Sequence, residues 1–184
     1  MIFDHDGHLL ILDPTNGGVY EIDSDNPPTI PRLFPAPRGV SIVEAYKVNS
    51  YNRIFVSDDV GTINVYEEGV LREFATLSSS NGLTYNSLMM AFTTGNELWD
   101  EGLYVLNDGT GDLSRFDLEG HRTVLGTGYE PYLNGAGGSA DMVFGPDGGL
   151  YIATGYNEIL RVTPEPATLL LLGLGGVFLR SRKH

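Results

Sequence analysis

Four near-copies of one pattern, a supply of Gly, Tyr and turn formers, and an apolar run confined to the C-terminal end together predict the fold. It is all-β: a β-propeller with about four blades present, part of a six- or seven-bladed ring, followed by a short C-terminal hydrophobic helix. The copies are HLLILDPTNGGVYEID from His8, RIFVSDDVGTINVYEEG from Arg53, GLYVLNDGTGDLSRFDLEG from Gly102 and GLYIATGYNEILRVTP from Gly149, so they start 45, 49 and 47 residues apart. Each is an apolar run, a polar Asp/Asn/Gly turn and a second apolar-rich run. A period in the forties with strand-like units is that of a four-stranded blade. A β-sandwich with coincidental spacing is the alternative architecture. The repeats occupy residues 1–163 and a separate tail occupies 164–184.

The elements follow in order. The first runs, Leu9–Leu12, Ile54–Val56, Leu103–Leu106 and Leu150–Ala153, are continuously apolar, as central strands buried on both faces would be. The second runs alternate more: Ile63 and Val65 flank Asn64, and Leu113 precedes Ser114 and Arg115. They belong nearer a blade edge. Val70–Leu77 and His121–Thr127 read as outer strands, and Asp141–Gly149 as an inner strand with the hairpin into the next. The stretch Thr84–Glu101 is long for one strand and fits the pattern poorly.

Charge limits the partners. The chain carries 11 Lys and Arg against 24 Asp and Glu, a net charge of −13. Such a surface repels a phosphate backbone, so nucleic acid is excluded as a partner. With no cysteine, the chain has neither disulfides nor thiol chemistry. The N-terminal stretch has Asp4 and Asp6 where a secretory signal would have Lys or Arg, and its apolar run is too short for a signal core.

Several stretches resemble sites. Asp4–His8 (DHDGH) offers two carboxylates and two imidazoles, but it aligns with the hairpin sequence 145–149 and reads as an Asp-Gly turn. His5, His8 and His121 lack the paired spacing of zinc ligands. The glycine-rich stretch Asn134–Asp141 precedes a strand, not the helix N-terminus that a phosphate cradle needs, and reads as an inter-blade loop. There is no Gly-x-Ser-x-Gly elbow, so a serine hydrolase of that type has no support.

The sequence DMVFGPDGGLYIATGYNEILRVTP resembles the blades of NHL-type and gluconolactonase-like (TolB-like) propellers, with GPDG, then LYIA, then Arg-Val before the exit. The third copy is similar to the same pattern. That resemblance implies fold more than function, because such propellers host hydrolases, lyases and binding modules. SNGLTY (Ser80–Tyr85) resembles the Asn-Gly-Leu of calcium-dependent lactonase and phosphotriesterase-like propellers. The resemblance implies Asn81 as a Ca²⁺ ligand, with Asp141 as a second oxygen. A hard cation gathers about six oxygens and the sequence nominates two, while Asn-Gly is also among the commonest turn dipeptides.

The tail combines Pro164-Glu165-Pro166, an apolar segment Ala167–Leu179 interrupted by three glycines, and a basic end with Arg180, Arg182 and Lys183. As a helix the apolar segment would span about 20 Å, short of the roughly 30 Å of a bilayer core. It would engage a membrane as a marginal anchor, with the basic end on the cytoplasmic side. This order of parts closely resembles the PEP-CTERM sorting signal of Gram-negative bacteria. The resemblance implies recognition by a membrane-embedded exosortase, transient inner-membrane anchoring, removal of the tail near Pro-Glu-Pro, and delivery to the cell surface or extracellular matrix. The expected function is therefore an exported β-propeller of binding or structural type, not an enzyme, with an extracellular partner such as matrix polysaccharide and no cofactor. A Ca-dependent lactonase or phosphotriesterase-like hydrolase is the alternative. The first copy begins almost on its inner strand and the fourth runs into the tail, so the chain is further expected to be the C-terminal part of a longer protein. That protein would carry a signal peptide and one to three more blades.

Overall fold

The computed structural model of the protein describes residues 2–3, 9–13, 18–22, 42–48, 51–57, 61–68, 70–77, 88–129, 141–154 and 158–164. Its elements are all strands: β1 (Ile2–Phe3), β2 (Leu9–Asp13), β3 (Gly18–Ile22), β4 (Ile42–Val48), β5 (Tyr51–Ser57), β6 (Thr62–Glu67), β7 (Val70–Thr76), β8 (Leu88–Thr93), β9 (Gly102–Asn107), β10 (Asp112–Phe116), β11 (Arg122–Gly126), β12 (Asp141–Phe144), β13 (Leu150–Ala153) and β14 (Ile159–Val162). They form four antiparallel meanders in chain order: β1-β2-β3, β4-β5-β6-β7, β8-β9-β10-β11 and β12-β13-β14. The first strands lie side by side, β1 against β4, β4 against β8 and β8 against β12. Successive sheets that share a row of inner strands are the arrangement of propeller blades.

The period-two alternation of a strand explains the continuous apolar runs. In β8, Leu88, Met90 and Phe92 face the second sheet, where they meet Phe55, Ile63, Val65 and Leu77. The intervening Met89 and Ala91 face the fourth sheet and meet Met142, Leu150 and Ile152. In β9, Leu103 and Val105 join the first core, and Tyr104 and Leu106 join the second. The inner strands β8 and β9 of the third sheet are therefore buried on both faces, while the outer strand β11 is exposed. Each large side chain so buried contributes about 1.5–3 kcal/mol.

Aromatic rings tie the sheets together. Phe55 and Phe74 meet edge to face at 5.0 Å, and Phe74 and Phe116 lie 6.0 Å apart between the second and third sheets. Arg53 adds a polar link, donating through Nε to Glu67 Oε1 at 2.6 Å and through Nη1 to the Leu118 carbonyl at 3.1 Å. On the far side of the fourth sheet the register sets Val143 beside Tyr151 and Ala153 beside Ile159. There Val143 and Ile159 are 61% and 72% exposed, the largest exposures among the apolar side chains of that sheet.

The four first runs are the second strands β2, β5, β9 and β13, and the four second runs are β3, β6, β10 and β14. Val70–Thr76 and Arg122–Gly126 take the outer edges, as their sequences suggest. Of the stretch Thr84–Glu101, the described residues 88–101 divide into β8 and a loop. The inner strand β4, Ile42–Val48, had no counterpart in the sequence reading. The turn expected at Asp4–His8, the loop at 134–140 and the C-terminal helix lie outside the described residues. Among the described residues no helix is long and apolar enough to cross a membrane.

Candidate functional site

The loop after β8 fixes one wall of a cleft. Gly95, at φ +90°, turns the chain, a backbone conformation that residues with a Cβ rarely adopt. Asn96 then closes the loop: its Oδ1 accepts the N–H groups of Leu98 (2.8 Å) and Trp99 (3.1 Å), and its own N–H donates to the Trp99 carbonyl at 2.8 Å. This turns Trp99 inward at 5% exposure and leaves Leu98 outward at 44%. Trp99, Tyr104 and Phe144 pack as mutual edge-to-face pairs with centroids 5.2–5.8 Å apart. Tyr104 donates its hydroxyl to the Asp100 carbonyl at 2.9 Å, and Arg115 donates through Nε and Nη2 to the Glu101 carbonyl at 3.1 and 2.7 Å.

Leu113, Arg115, Leu125 and Tyr129 continue the lining from the third sheet, and Val162, Thr163 and Pro164 close it from the end of β14. The space enclosed is about 560 Å³, within the range of ligand-sized clefts. Tyr129 is positioned by its own N–H, which donates to the Gly111 carbonyl at 3.1 Å. Burial pushes the Tyr104 hydroxyl up to about 12 and raises that of Tyr129, so both stay neutral at physiological pH. The Trp99 Nε1–H is buried without a hydrogen-bond partner. The lining thus offers aromatic and aliphatic contact surface with one guanidinium, Arg115, whose Nη1 lies 3.9 Å from Asp100 Oδ2. The lining is thus mixed, with the Asp100 carboxylate and Arg115 guanidinium set beside the aromatic and aliphatic side chains.

Of the residues nominated from sequence, Asp141 and Pro164 are described. Asp141 begins β12, exposed, its Oδ1 accepting the Met142 N–H at 2.8 Å. It pairs with Ala153, as Leu88 pairs with Asn107 and Ile42 with Ser57, so it sits where each inner strand begins. Asp108, in the turn after β9, lies at the same end, and its burial raises its pKa. Asn81, Glu165, Pro166, Arg180, Arg182 and Lys183 lie outside the described residues. Pro164 is described and lines the cleft.

Among the described residues, the carboxylates and imidazole close enough to share an ion are those of Asp117, Glu119 and His121. They form the β10–β11 turn. Asp117 Oδ1 accepts the N–H groups of Glu119 and His121, and its Oδ2 meets His121 Nδ1 at 2.9 Å. These bonds, the His121 backbone N–H first among them, lower the Asp117 pKa. The group is explained as a turn.

Sequence reasoning missed Trp99, Arg115 and Tyr129. The signal was the segment that departs from the repeat, because it contains the only Trp of the chain.

Comparison with known proteins agrees with the fold and adds one functional element. The structure of selenomethionine-substituted virginiamycin B lyase from Staphylococcus aureus matches with a TM-score of 0.53 and 16% sequence identity, over 88% of this chain and 53% of that one. The chain spans about half the length of that β-propeller, and the likeness shows a propeller-like fold. No curated protein matches the sequence. Residues 162–183 match the PEP-CTERM protein-sorting motif. The chain therefore carries, continuous with the last strand of its propeller-like domain, the signal of an exported protein handled by exosortase.

Proposed function

We propose that this protein is an exported β-propeller of binding or structural type, delivered to the cell surface or extracellular matrix after exosortase removes its C-terminal segment. The observation that carries the reading is the sorting motif beginning at Val162, inside β14. The segment 164–184 acts as a separate processing unit, anchored briefly in the inner membrane by its apolar run. The folded part, 1–163, is the delivered cargo, and its partner is extracellular, of the matrix-polysaccharide kind. The cleft supports binding over catalysis. Arg115 is engaged by the Glu101 carbonyl and the Tyr104 hydroxyl by the Asp100 carbonyl, so both polar groups hold the cleft wall in place.

Intact mass of the protein from its native host tests the processing. The mature protein should lack everything after about Pro166, and changing Pro164, Glu165 and Pro166 to alanine should leave the tail uncut. A mature protein that retains Arg182 and Lys183 would overturn this reading. Calorimetric titration with Ca²⁺, with a lactone and paraoxon screen, tests the non-catalytic part. Binding at one site that is lost in Asn81→Ala, together with turnover, would replace it with the hydrolase.

A further inference from the structure

The cleft walled by loop 94–101, β10, β11 and the end of β14 has a floor and a rim of different chemistry. The floor is apolar and closed: Trp99, Tyr104 and Leu113 are 5%, 1% and 1% exposed. The rim is open and mixed. Leu98 and Leu125 are 44% and 45% exposed, and Tyr129 is partly buried. The Asp100 side chain is 84% exposed, and Thr163, also exposed, adds a hydroxyl. We propose that this cleft binds a neutral saccharide, a short stretch of a glycan chain. Asp100 accepts hydrogen bonds from ring hydroxyls, and Tyr129 lies against the C–H face of a sugar ring.

The charges of the lining select this ligand. The guanidinium of Arg115 is committed: Nε and Nη2 donate to the Glu101 carbonyl, and Nη1 lies 3.9 Å from Asp100 Oδ2. An anion would therefore find no uncommitted cation in the lining, and it would approach a chain of net charge −13. A cation would meet a carboxylate whose charge the neighbouring guanidinium already offsets. A wholly apolar ligand would strip water from Asp100 and Thr163 and return no hydrogen bond. The Asp100–Arg115 separation is too long for a hydrogen bond, so the carboxylate is able to accept one from a ligand. A sugar ring combines the remaining requirements: hydroxyl donors at its edge and a C–H surface for Leu98, Leu125 and Tyr129. The volume of about 560 Å³ accommodates a ligand of that size. The walls are also set in advance. Asn96 holds loop 94–101 through the N–H groups of Leu98 and Trp99, and the Gly111 carbonyl holds the Tyr129 N–H. Binding thus has little of the protein left to order.

This inference rests on the reading of the protein as a binding module for matrix polysaccharide, and it assigns that binding to one cleft. The purified full chain, in a detergent without a sugar headgroup, is titrated calorimetrically with tetrasaccharides. Those of glucose, mannose and N-acetylglucosamine are the neutral probes, that of galacturonate the anionic one and that of glucosamine the cationic one. A neutral probe should bind the parent. Asp100→Ala and Tyr129→Ala should each raise its Kd about tenfold, the worth of one charge-assisted hydrogen bond or one aromatic contact. Val124→Ser, at an exposed position outside the lining, should bind as the parent does. Asp100→Ala alters an exposed side chain and leaves the Asp100 carbonyl that holds Tyr104, so it decides the matter if Tyr129→Ala loses its strands by circular dichroism. Binding of no neutral probe, binding of a charged probe alone, or an equal Kd in the parent and Asp100→Ala would overturn the proposal. Equal binding in parent and variants would remove the cleft and keep the saccharide-binding reading. The intact mass of the mature protein judges the export reading separately.

Discussion

Leu103 and Leu106 are the same residue type, three positions apart on β9, and they point into different cores. They are 1% and 0% exposed. Truncating either to alanine removes three carbon groups, about 2.4 kcal/mol of transfer free energy. The residual cavity adds about 24 cal/mol per Å³, bringing the expected loss to about 2.5–4 kcal/mol for each. Leu103→Ala and Leu106→Ala should therefore destabilise the fold alike, although a sheet with one solvated face would tolerate one of them almost freely. Because the two side chains share no packing partners, their effects should add to within about 0.5 kcal/mol wherever the double variant still folds. Urea unfolding followed by far-UV circular dichroism and by Trp99 emission measures both. If either single variant unfolds within about 0.5 kcal/mol of the parent, the third sheet is not packed between two neighbours, and the propeller-like reading of the fold fails with it.

Other expectations follow from single sites. Burial pushes the Glu67 carboxyl up, but its hydrogen bond and ion pair with Arg53, joined by Arg72, outweigh this and hold it below 4.5. A lowered folded pKa gives stability that is present above the unfolded value and lost as pH falls through the folded one. Unfolding free energy should accordingly decline on acidification below about pH 4.5, and Glu67→Gln should flatten that decline; equal slopes in the two proteins would count against the pair. Gly102→Ala should cost more than about 2 kcal/mol in thermal or urea unfolding, because a Cβ there lies 2.4 Å from the Phe116 carbonyl oxygen and φ is +156°. Asn96→Ala removes the acceptor of two backbone N–H groups and should cost about 1–2 kcal/mol. It should also raise acrylamide quenching of Trp99, and an unaltered quenching constant would mean that the loop keeps its shape without Asn96.

The blades were legible because their signal is local. Runs such as Leu103–Leu106 are apolar at every position since both faces of their sheet are covered, and a turn with Gly or Asp follows each at a steady interval. β4 escaped notice because IVEAYKV interleaves Glu44, Tyr46 and Lys47 with its aliphatics and matches none of the four copies. Its place comes from pairing with β5, a tertiary fact. Thr84–Glu101 resisted division for a related reason. LMMAFT is a strand by burial, but the next residues are shaped by Asn96 side-chain bonds that no period announces. The cleft was illegible as a whole: Trp99, Leu125 and Pro164 lie far apart in sequence and meet only when the third and fourth sheets pack. The sorting motif was readable outright because its recognition depends on contiguous residues and not on a fold.

The meander order described above also favours folding from local contacts. Every strand pairs with its immediate chain neighbour within its sheet, so loops are short, loop-closure entropy is small and each blade can form soon after its residues become available. Each completed blade then serves as the template for the next, as in a linear array with nearest-neighbour coupling. In a chain delivered N-terminus first, β12–β14 is the last of the four described sheets to condense. Its final strand carries the first residue of the sorting motif. Closure of that blade on the third sheet is then the last of these four steps, and the sorting motif begins on the strand that completes it.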